Sequence, residues 1–598
     1  MDRNEKLGDF TTSPRVLGIS VLAIGIGFLS AYVALLLLRL IGIFTNLFFY
    51  HRWGTALVSP AANTLGAWEL AVPVVGALVI GLMARYGSER IRGHGIPEAI
   101  EAILINGSKV EPKVAILKPL SSAISIGSGG PFGAEGPIIM TGAAFGSMIA
   151  QFFHLTAAER KTLLVAGAAG GMSATFASPV AAVLLAVELL LFEWKPRSLV
   201  PVALASVAAA ATRRHILGMG PLFPVPAHAA FIGVNGLLGC VVAGIAAGAL
   251  SALLTLAVYA SEDLFKRLPI HWMWWPALGG LAIGAGGLVF PQALGVGYDT
   301  IGALLAGDVR LRMIGGVLLV KSLMWAISLG SGTSGGVLAP LLMMGGALGG
   351  LEASFLPYQG AGFWPLVSMG AILGGTMRSP FTGVIFMLEL THDVNMLLPL
   401  LLAVTIAHGF TVLVLRRSIL TEKVARRGYH LSREYAVDPL EILFVREVMR
   451  TNVVALAAET SREELQRRLP HDRHRRDQML YPVVKGGHEL VGAITGAKLR
   501  QMLEDPQAAQ RPLAAAAQEE PVVAYAGEPL RMVANRMAET GFSRFPVLER
   551  EGSRRLVGMI SLQDLLQART RVLEEERRRE RVLRIHLPFR RREPVVKE

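Results

Sequence analysis

The chain has 598 residues, of which 52% are hydrophobic and only 17% are charged, and its formal net charge is +13 at pH 7. Soluble domains carry about 25% charged residues, so this composition excludes an ordinary cytosolic enzyme and disfavours a disordered chain. The single cysteine, Cys240, excludes an intrachain disulfide framework and a cysteine-based zinc cluster.

The apolar runs of the first 415 residues predict membrane helices, several of them shorter than the ~20 residues that cross a bilayer. They are residues 16–38, 70–83, 199–211, 229–260, 277–289 and 396–415. Stretches rich in Gly and Pro lie between them, at 127–137, 167–179, 330–340 and 374–380. Non-helical backbone is tolerated in a bilayer only where it is buried in protein or lines a polar cavity. Short, interrupted helices therefore predict a transport site.

The membrane part of the sequence repeats itself. The segment KPLSSAISIGSG, which starts at Lys118, recurs 203 residues later as KSLMWAISLGSG from Lys321. The segment SPVAAVLLAVEL from Ser178 recurs 201 residues later as SPFTGVIFMLEL from Ser379. Two halves, at about 15–215 and 228–420, with paired broken helices predict a binding site at the midplane between them.

The Gly-Ser-Gly elements indicate what such a site would bind. Each of them precedes an apolar helix, so backbone N–H groups and positive helix ends face the gap between the halves. Clustered helix N-termini bind an anion without a full cationic charge. Lys118 and Lys321 would add distant positive potential, although both lysines could equally be structural.

Three segments carry a resemblance to a known family. They are GHGIPE from Gly93, GAEGP from Gly133 and GVLAP from Gly336. In this order they resemble the signature segments of the CLC chloride channels and proton-coupled chloride exchangers, and the resemblance covers about residues 15–425. It implies an α-helical membrane protein of broken helices in an inverted repeat, and a homodimer with one anion pathway per subunit.

The resemblance assigns roles to individual residues. Glu135 matches the external gating glutamate, and an acid beside helix N-termini would mimic the transported anion. Lys118 would contribute electrostatically. The expected anion-binding positions are His94, Gly95, Ile96, Gly133, Ala134, Val337, Leu338 and Leu420.

Several of these positions depart from the family pattern. His94 stands where the family usually has serine, Leu338 where it has phenylalanine, and Leu420 where it has tyrosine. His94 could donate an N–H, or titrate near pH ~6.5; a structural histidine is the alternative. Leu189 occupies the position of the internal proton-accepting glutamate, and we interpret the preceding Glu188 as mainly structural. These departures favour a passive chloride channel gated by Glu135, with chloride/proton antiport of weak or altered coupling as the alternative.

Residues 416–598 contain 35 of the 58 Lys and Arg and 26 of the 45 Asp and Glu, which predicts a soluble body. After a linker at 426–443, two βαββα patterns at 444–504 and 510–570 resemble a tandem pair of CBS domains, and 571–598 reads as a charged helical tail. In that family an aspartate near the end of each copy contacts the ribose of an adenine nucleotide. Asp564 fits this role, whereas the first copy has Lys498.

The sequence therefore predicts a multi-pass protein of the cell membrane, with a cytosolic α/β CBS pair held against the anionic leaflet by its basic excess. Chloride or another small anion, the bilayer and a second copy of the chain are the expected partners. No enzyme activity, metal site, required cofactor or nucleic-acid partner is expected, although adenine nucleotide is possible at the CBS pair. An intramembrane hydrolase would need a nucleophile–base or metal set, and a cation carrier would need carboxylates lining its site.

Overall fold

The computed structural model describes residues 12–104, 107–307, 310–427, 440, 443–460, 465, 478–504, 513, 517–518 and 520–577. The chain forms two compact units, and the division falls within residues 428–439. The first unit is helical and the second combines helices with two small sheets, so the fold class expected from the sequence is confirmed.

The described residues of the first half form eight α-helices. They are α1 (Arg15–Tyr50), α2 (Ala71–Tyr86), α3 (Ile96–Leu104), α4 (Pro112–Gly127), α5 (Glu135–Gln151), α6 (Ala157–Phe176), α7 (Pro179–Leu185), extended by a π-helical turn (Ala186–Leu191), and α8 (Pro196–Ile216).

The second half repeats this order. Its helices are α9 (Val234–Lys266), α10 (Trp275–Val289), α11 (Tyr298–Leu305), α12 (Leu311–Gly315) joined by a π-helical turn (Gly316–Lys321) to α13 (Ser322–Gly330), α14 (Leu338–Glu352), α15 (Phe363–Met377), α16 (Pro380–Thr391), α17 (Leu397–Val414) and α18 (Ile419–Arg426).

The packing shows the same repeat. In the first half α6 packs on α5, α1 and α8, and in the second half the equivalent helix α15 packs on α14, α9 and α17. Two pairs of equivalent helices pack on each other across the halves, namely α2 with α10 and α7 with α16. A pseudo-two-fold axis therefore relates the halves.

Five helical stretches of the described chain are long and apolar enough to cross a membrane. They are Arg15–Tyr50, Gly66–Tyr86, Val234–Lys266, Leu311–Gly330 and Val394–Arg426. Other apolar helices of the described chain, such as Leu338–Glu352 and Phe363–Met377, are shorter. Pro179 and Pro380 open α7 and α16 at the first helical position, where a proline does not interrupt helical hydrogen bonding. Long apolar helices thus occur together with shorter ones, as the sequence predicts.

The second unit contains two three-stranded sheets. Strand β1 (Leu456–Ala457) pairs in parallel with β2 (Leu480–Lys485), which pairs antiparallel with β3 (Glu489–Thr495). The other sheet has the same topology, with β4 (Ala524–Tyr525), β5 (Arg544–Leu548) and β6 (Leu556–Ser561). The remaining helices of this unit with described bounds are α19 (Val445–Val448), α20 (Gly496–Glu504), α21 (Leu530–Thr540) and α22 (Leu562–Arg577). Residues 578–598 of the predicted tail lie outside the described residues.

Candidate functional site

The three Gly-rich signature segments, far apart in the sequence, lie side by side. The Gly133 N–H donates to the Gly336 carbonyl (3.1 Å), and the Gly336 N–H donates back to the Gly133 carbonyl (2.9 Å). The Gly93 N–H donates to the Thr333 carbonyl (3.2 Å), next to a bridge between Gly93 and Ser334. Because Gly133 and Gly336 are equivalent positions of the repeat, the local two-fold axis passes between them. The two halves meet at this point.

Glycine is required where the segments cross. Gly95 has a φ of +90°, a conformation that other residues rarely adopt. A Cβ added at Gly136 would overlap the carbonyl oxygen of His94, and one added at Gly95 would run into the carbonyl of Gly136. This close approach brings the starts of α3 and α5 together, with α14 beside them. Their first-turn N–H groups lack partners within the helix, so their positive ends converge on one region.

Glu135 is the first residue of α5 and its side chain is fully buried. The carboxylate folds back over Gly133, so that a Cβ there would overlap Oε2, and a Cβ at Gly336 would lie 2.8 Å from the same oxygen. The backbone N–H groups of Glu135 and Ala339 lie beside the carboxylate, but neither carboxylate oxygen completes a hydrogen bond with any described residue. A buried acid without partners therefore occupies the gap between the halves.

Two of the predicted backbone ligands already donate within the protein. The Gly133 amide donates to Gly336, and the Gly95 amide donates to Glu98 Oε2 at 2.9 Å. The other predicted backbone positions lie in or next to the first turns of α3, α5 and α14: Ile96, Ala134, Val337 and Leu338. For all six positions, anion binding stays a prediction.

His94 is buried beside a pair of opposite charges. Its Nδ1 has no hydrogen-bond partner among the described residues. Glu98, which is also buried, forms an ion pair with Lys423 of α18, and the Lys423 ammonium lies against Gly93. The structure thus places an imidazole that can donate an N–H where the signature segments cross, next to an ion pair that joins α18 to α3.

Leu420 is fully buried in the first turn of α18, three residues before Lys423. Residues three apart on a helix share a face, so Leu420 lies on the side of α18 that packs on α3. The neighbouring carbonyl of Ile419 accepts a hydrogen bond from the Tyr259 hydroxyl (2.5 Å). A tyrosine therefore lies beside this position, but its hydroxyl is engaged with the backbone.

Lys118 is fully buried and its ammonium makes three hydrogen bonds. It donates to the carbonyls of Ile91 and Gly93, both at 2.8 Å, and to Ser334 Oγ at 3.1 Å. The side chain thus ties the first signature segment to Ser334, two residues before the third segment. An electrostatic contribution to anion binding stays a prediction, alongside this structural role.

Glu188 and Glu389 each accept hydrogen bonds from the first turn of a helix in the opposite half of the protein. Glu389 accepts hydrogen bonds from the Val180 and Ala181 amides at 2.9 and 2.8 Å, at the start of α7. Glu188 accepts from the Phe381 and Thr382 amides at 3.2 and 2.9 Å, at the start of α16. The Glu188 carboxylate thus binds the start of a helix in the other half, which supports the structural interpretation, and its role stays a prediction.

Asp564, in the second unit, also has hydrogen-bond partners within the protein. Its Oδ2 accepts from the Ser561 amide (2.8 Å) and hydroxyl (2.6 Å), and its Oδ1 accepts from Arg450 Nε (2.8 Å). The aspartate therefore caps α22. Each carboxylate oxygen has two lone pairs, so Oδ1 has room to accept a ribose hydroxyl, and nucleotide contact stays a prediction. In the described chain, no group of three or more His, Cys, Asp or Glu side chains is placed to hold a metal ion.

The sequence analysis assigned no role to three residues that lie close to the site, namely Glu98, Lys423 and Tyr298. Glu98 has a local signal: it stands at the third helical position after Gly95, where a glutamate commonly caps the preceding backbone N–H. Lys423 has no such signal, because its partner is 325 residues away. Tyr298 follows Gly295 and Gly297, whose positive φ angles match those of Gly93 and Gly95 in the first repeat.

Comparisons with known proteins agree with this geometry. The family model for voltage gated chloride channels matches residues 75–412, and the CBS domain model matches residues 514–571. A ClcB-like chloride channel protein from Ralstonia nicotianae is 30% identical over 353 residues, covering 57% of this chain and 82% of the relative. The H(+)/Cl(-) exchange transporter ClcA of Citrobacter koseri is 30% identical over 367 residues, covering 58% of this chain and 76% of that protein.

Solved structures share the fold. A slow cyanobacterial Cl-/H+ antiporter superposes with a TM-score of 0.61 at 21% identity, over 70% of this chain and 98% of that structure. A eukaryotic CLC transporter superposes with a TM-score of 0.57 at 19% identity, over 92% and 98%. With a family model that matches more than half of its length, and with crossing signature segments, the chain belongs to the CLC family of voltage gated chloride channels, and it carries a CBS domain.

Proposed function

We propose that this protein is a membrane pathway for chloride or another small anion, gated by Glu135. The observation that carries the proposal is the buried, unpartnered carboxylate of Glu135 in the gap between the two halves. The positive ends of α5 and α14 stabilise negative charge there. An anion and the carboxylate compete for this place, so the pathway is closed while the carboxylate occupies it.

The immediate surroundings suit an anion better than a cation. Ile96, Ala134, Val337 and Leu338 offer the first-turn backbone of three helices, and His94 offers an imidazole N–H. Backbone N–H groups at helix ends carry only partial positive charge, which keeps binding weak enough for the anion to leave. A cation site would need several carboxylates, and Glu98, the other acid near the crossing, is already paired with Lys423.

We further propose passive conduction rather than tight exchange. Leu189 is fully buried and cannot carry a proton. The adjacent Glu188 could take the place of Leu189 only by turning ~100° around its helix, away from the two α16 amides that donate to it. Leu420 also lacks the hydroxyl that would form an inner barrier. These three residues support conduction gated by one carboxylate.

Chloride/proton antiport is the second candidate, and the relatives favour it. The Citrobacter koseri protein carries the name H(+)/Cl(-) exchange transporter, and the cyanobacterial structure is described as a Cl-/H+ antiporter. In this chain, protons would have to reach Glu135 through water instead of through Leu189. Such a route would give weak or altered coupling.

Reconstituted flux separates the two candidates. Purified protein in liposomes is placed under a chloride gradient and, separately, under a pH gradient, while chloride and proton movements are both recorded. Passive conduction predicts a reversal potential that follows chloride alone. A reversal potential that shifts with the imposed pH gradient would establish antiport. The absence of flux for any small anion, in protein shown to be folded, would overturn the proposed function.

We also propose a homodimer in the cell membrane with the soluble unit in the cytoplasm, as the family resemblance implies. Light scattering of the purified protein in detergent should give twice the 64.0 kDa of one chain. A protease added to sealed, right-side-out vesicles should leave the soluble unit intact. A monomer in several mild detergents, or cleavage from outside, would contradict the respective proposal.

A further inference from the structure

The starts of α1, α6 and α8 meet around a cavity of about 310 Å³. Cavities that hold organic ligands in proteins measure about 300–1,000 Å³. The wall includes Arg15, Val16 and Ile19 of α1, Ala158 and Glu159 of α6, and Arg197 of α8. None of the described residues in this wall belongs to the signature segments, so the proposed anion pathway does not account for the cavity.

The cavity lies at one face of the bilayer. α1 is long and apolar enough to cross a membrane, and it begins at Arg15, in the cavity wall. α8 runs beside α1 in the same direction, because Arg197 also lines the cavity and Ala205 packs against Gly27 further along. Both helices therefore lead from the cavity towards the opposite face.

The face with the cavity is the more basic one. The three segments around the cavity contain five Lys or Arg and two Glu: 12–19, 155–162 and 193–198. At the opposite face α8 ends with Arg213 and Arg214, and the segment that follows it is joined by His228 to the Ala361 carbonyl and to Asp393. The three segments joined in this way contain no Lys or Arg: 217–233, 353–362 and 392–396. Short connections rich in Lys and Arg lie in the cytoplasm, which predicts that the cavity is at the cytoplasmic face.

Arg197 brings unused hydrogen-bond donors to the cavity wall. A guanidinium carries five N–H donors. In the described chain its one polar contact is from Nη2 to Glu193, at 3.5 Å, and its Nε has no hydrogen-bond partner. Arg15 differs, because its Nε and Nη2 lie 2.9 and 3.3 Å from the two carboxylate oxygens of Glu159. Arg197 is therefore the residue of the wall that can bind a further acceptor.

The rest of the wall is partly apolar. Val16, Ile19 and Ala158 contribute hydrocarbon surface next to the charged groups. A small inorganic anion would make no use of this surface. An amphiphile with an anionic head uses both kinds of surface, and the cytoplasmic leaflet of a membrane supplies such molecules.

We propose that this cavity binds the headgroup of an anionic phospholipid from the cytoplasmic leaflet. The phosphate accepts hydrogen bonds from the Arg197 guanidinium, and the positive charge around the cavity attracts the lipid. Val16 and Ile19 contact its glycerol and acyl region. The bound lipid touches α1, α6 and α8 together, so it stabilises their packing. This site is separate from the Glu135 crossing and does not depend on the proposed gate.

The experiment measures lipid binding to the full-length protein in detergent. Dioleoylphosphatidylglycerol, dioleoylphosphatidylcholine and inorganic phosphate are titrated separately, bound lipid is counted by native mass spectrometry, and the Tm is recorded. Phosphatidylglycerol should bind about tenfold more tightly than phosphatidylcholine because of its net charge. Its binding should also raise the Tm, because a ligand of the folded state stabilises that state. Inorganic phosphate should leave the Tm unchanged at the same concentration.

Two variants place this binding in the cavity. Arg197→Gln removes the unused donors and should weaken phosphatidylglycerol binding about tenfold, the effect of losing a hydrogen bond to a charged group. Ala158→Leu fills the cavity without removing a charge and should weaken binding at least as much. Leucine suits this exposed position near the start of α6. Arg214→Gln is the matched control, because it removes an exposed arginine from the other end of α8 and should leave binding unchanged.

Three results would overturn the proposal. One is unchanged phosphatidylglycerol binding in Arg197→Gln and Ala158→Leu. Another is an equal loss in Arg214→Gln, which would show that net charge alone attracts the lipid. The third is a Tm rise with inorganic phosphate equal to that with phosphatidylglycerol, which would identify a site for a free anion. If Arg197→Gln does not fold, Ala158→Leu alone decides.

Discussion

Replacing Glu389 with glutamine tests whether the reciprocal caps hold the two halves together. The Glu389 carboxylate accepts both the Val180 and the Ala181 amide, and each of its two oxygens takes one of them. Glutamine keeps the size of the side chain but offers one acceptor oxygen, and its NH₂ group faces the remaining backbone donor. The equivalent substitution at Glu188 makes the same change at the start of α16.

The expected loss follows from these contacts. A hydrogen bond to a charged group contributes about 1.5–3 kcal/mol, and loss of a helix cap costs about 0.5–2 kcal/mol. Glu389→Gln loses one of two bonds and Glu188→Gln one of three, because the Thr382 hydroxyl also donates to Glu188, so each substitution should lower the free energy of unfolding by about 2–3 kcal/mol. The two losses should be similar because glutamine keeps one acceptor oxygen at each cap.

Thermal unfolding in detergent, followed by size-exclusion chromatography, measures this loss as a lower Tm. Glu111→Gln is the matched control, since its carboxylate lies on the surface in a 3.5 Å ion pair with Arg90 and should change stability by less than ~1 kcal/mol. Chloride flux per folded protein should be retained in both cap variants. A Glu188→Gln protein of wild-type Tm that has lost proton movement would refute the structural role and establish Glu188 as a proton carrier.

The other predictions concern His94, the ion pair and the soluble unit. His94→Ser should leave the pH profile of anion flux unchanged, because His94 is buried and its Nδ1 has no acceptor among the described residues, so a second N–H on the ring would be left unsatisfied; a flattened profile would show that His94 titrates. Lys423→Met should lower stability by about 3–5 kcal/mol because it leaves Glu98 buried without its cation, and adding Glu98→Gln should recover most of the loss in the same melting assay. Asp564→Asn should weaken ATP binding to the full-length protein about tenfold in equilibrium dialysis, and an unchanged affinity would remove Asp564 from the nucleotide site.

The repeat and the crossing segments could be predicted because their residue types are dictated locally. Gly336 must be glycine where two backbones touch, a Cβ at Gly133 would overlap the Glu135 carboxylate, and Pro179 and Pro380 open equivalent helices. Such requirements preserve both identity and spacing, so a constant offset in the sequence reveals the halves. The caps by Glu188 and Glu389 follow from the same spacing, although only the structure shows that each one reaches the opposite half.

The unpredicted parts of the site depend on distant contacts or on backbone shape. The Lys423–Glu98 ion pair joins α18 to α3, two helices that are far apart in the sequence, and no periodicity in either helix predicts the pair. The segment before Tyr298 matches the one before Ile96 in its glycine φ angles, but its other residues differ, so comparison of residues alone does not align them. The hydrogen bond from the Gly95 amide to Glu98 was predictable from the capping pattern. Only the three-dimensional structure shows that Lys321 donates to two backbone carbonyls and has no third acceptor among the described residues.

The most direct test of the central claim compares chloride efflux from liposomes that contain wild-type protein or Glu135→Gln, over a series of external pH values. Glutamine keeps the shape of the side chain and removes its charge, so it cannot compete with the anion for the positive helix ends. The gate assignment predicts greater or constitutive flux for Glu135→Gln, with little dependence on external pH. A folded Glu135→Gln protein that kept the flux and the pH dependence of wild type would contradict it.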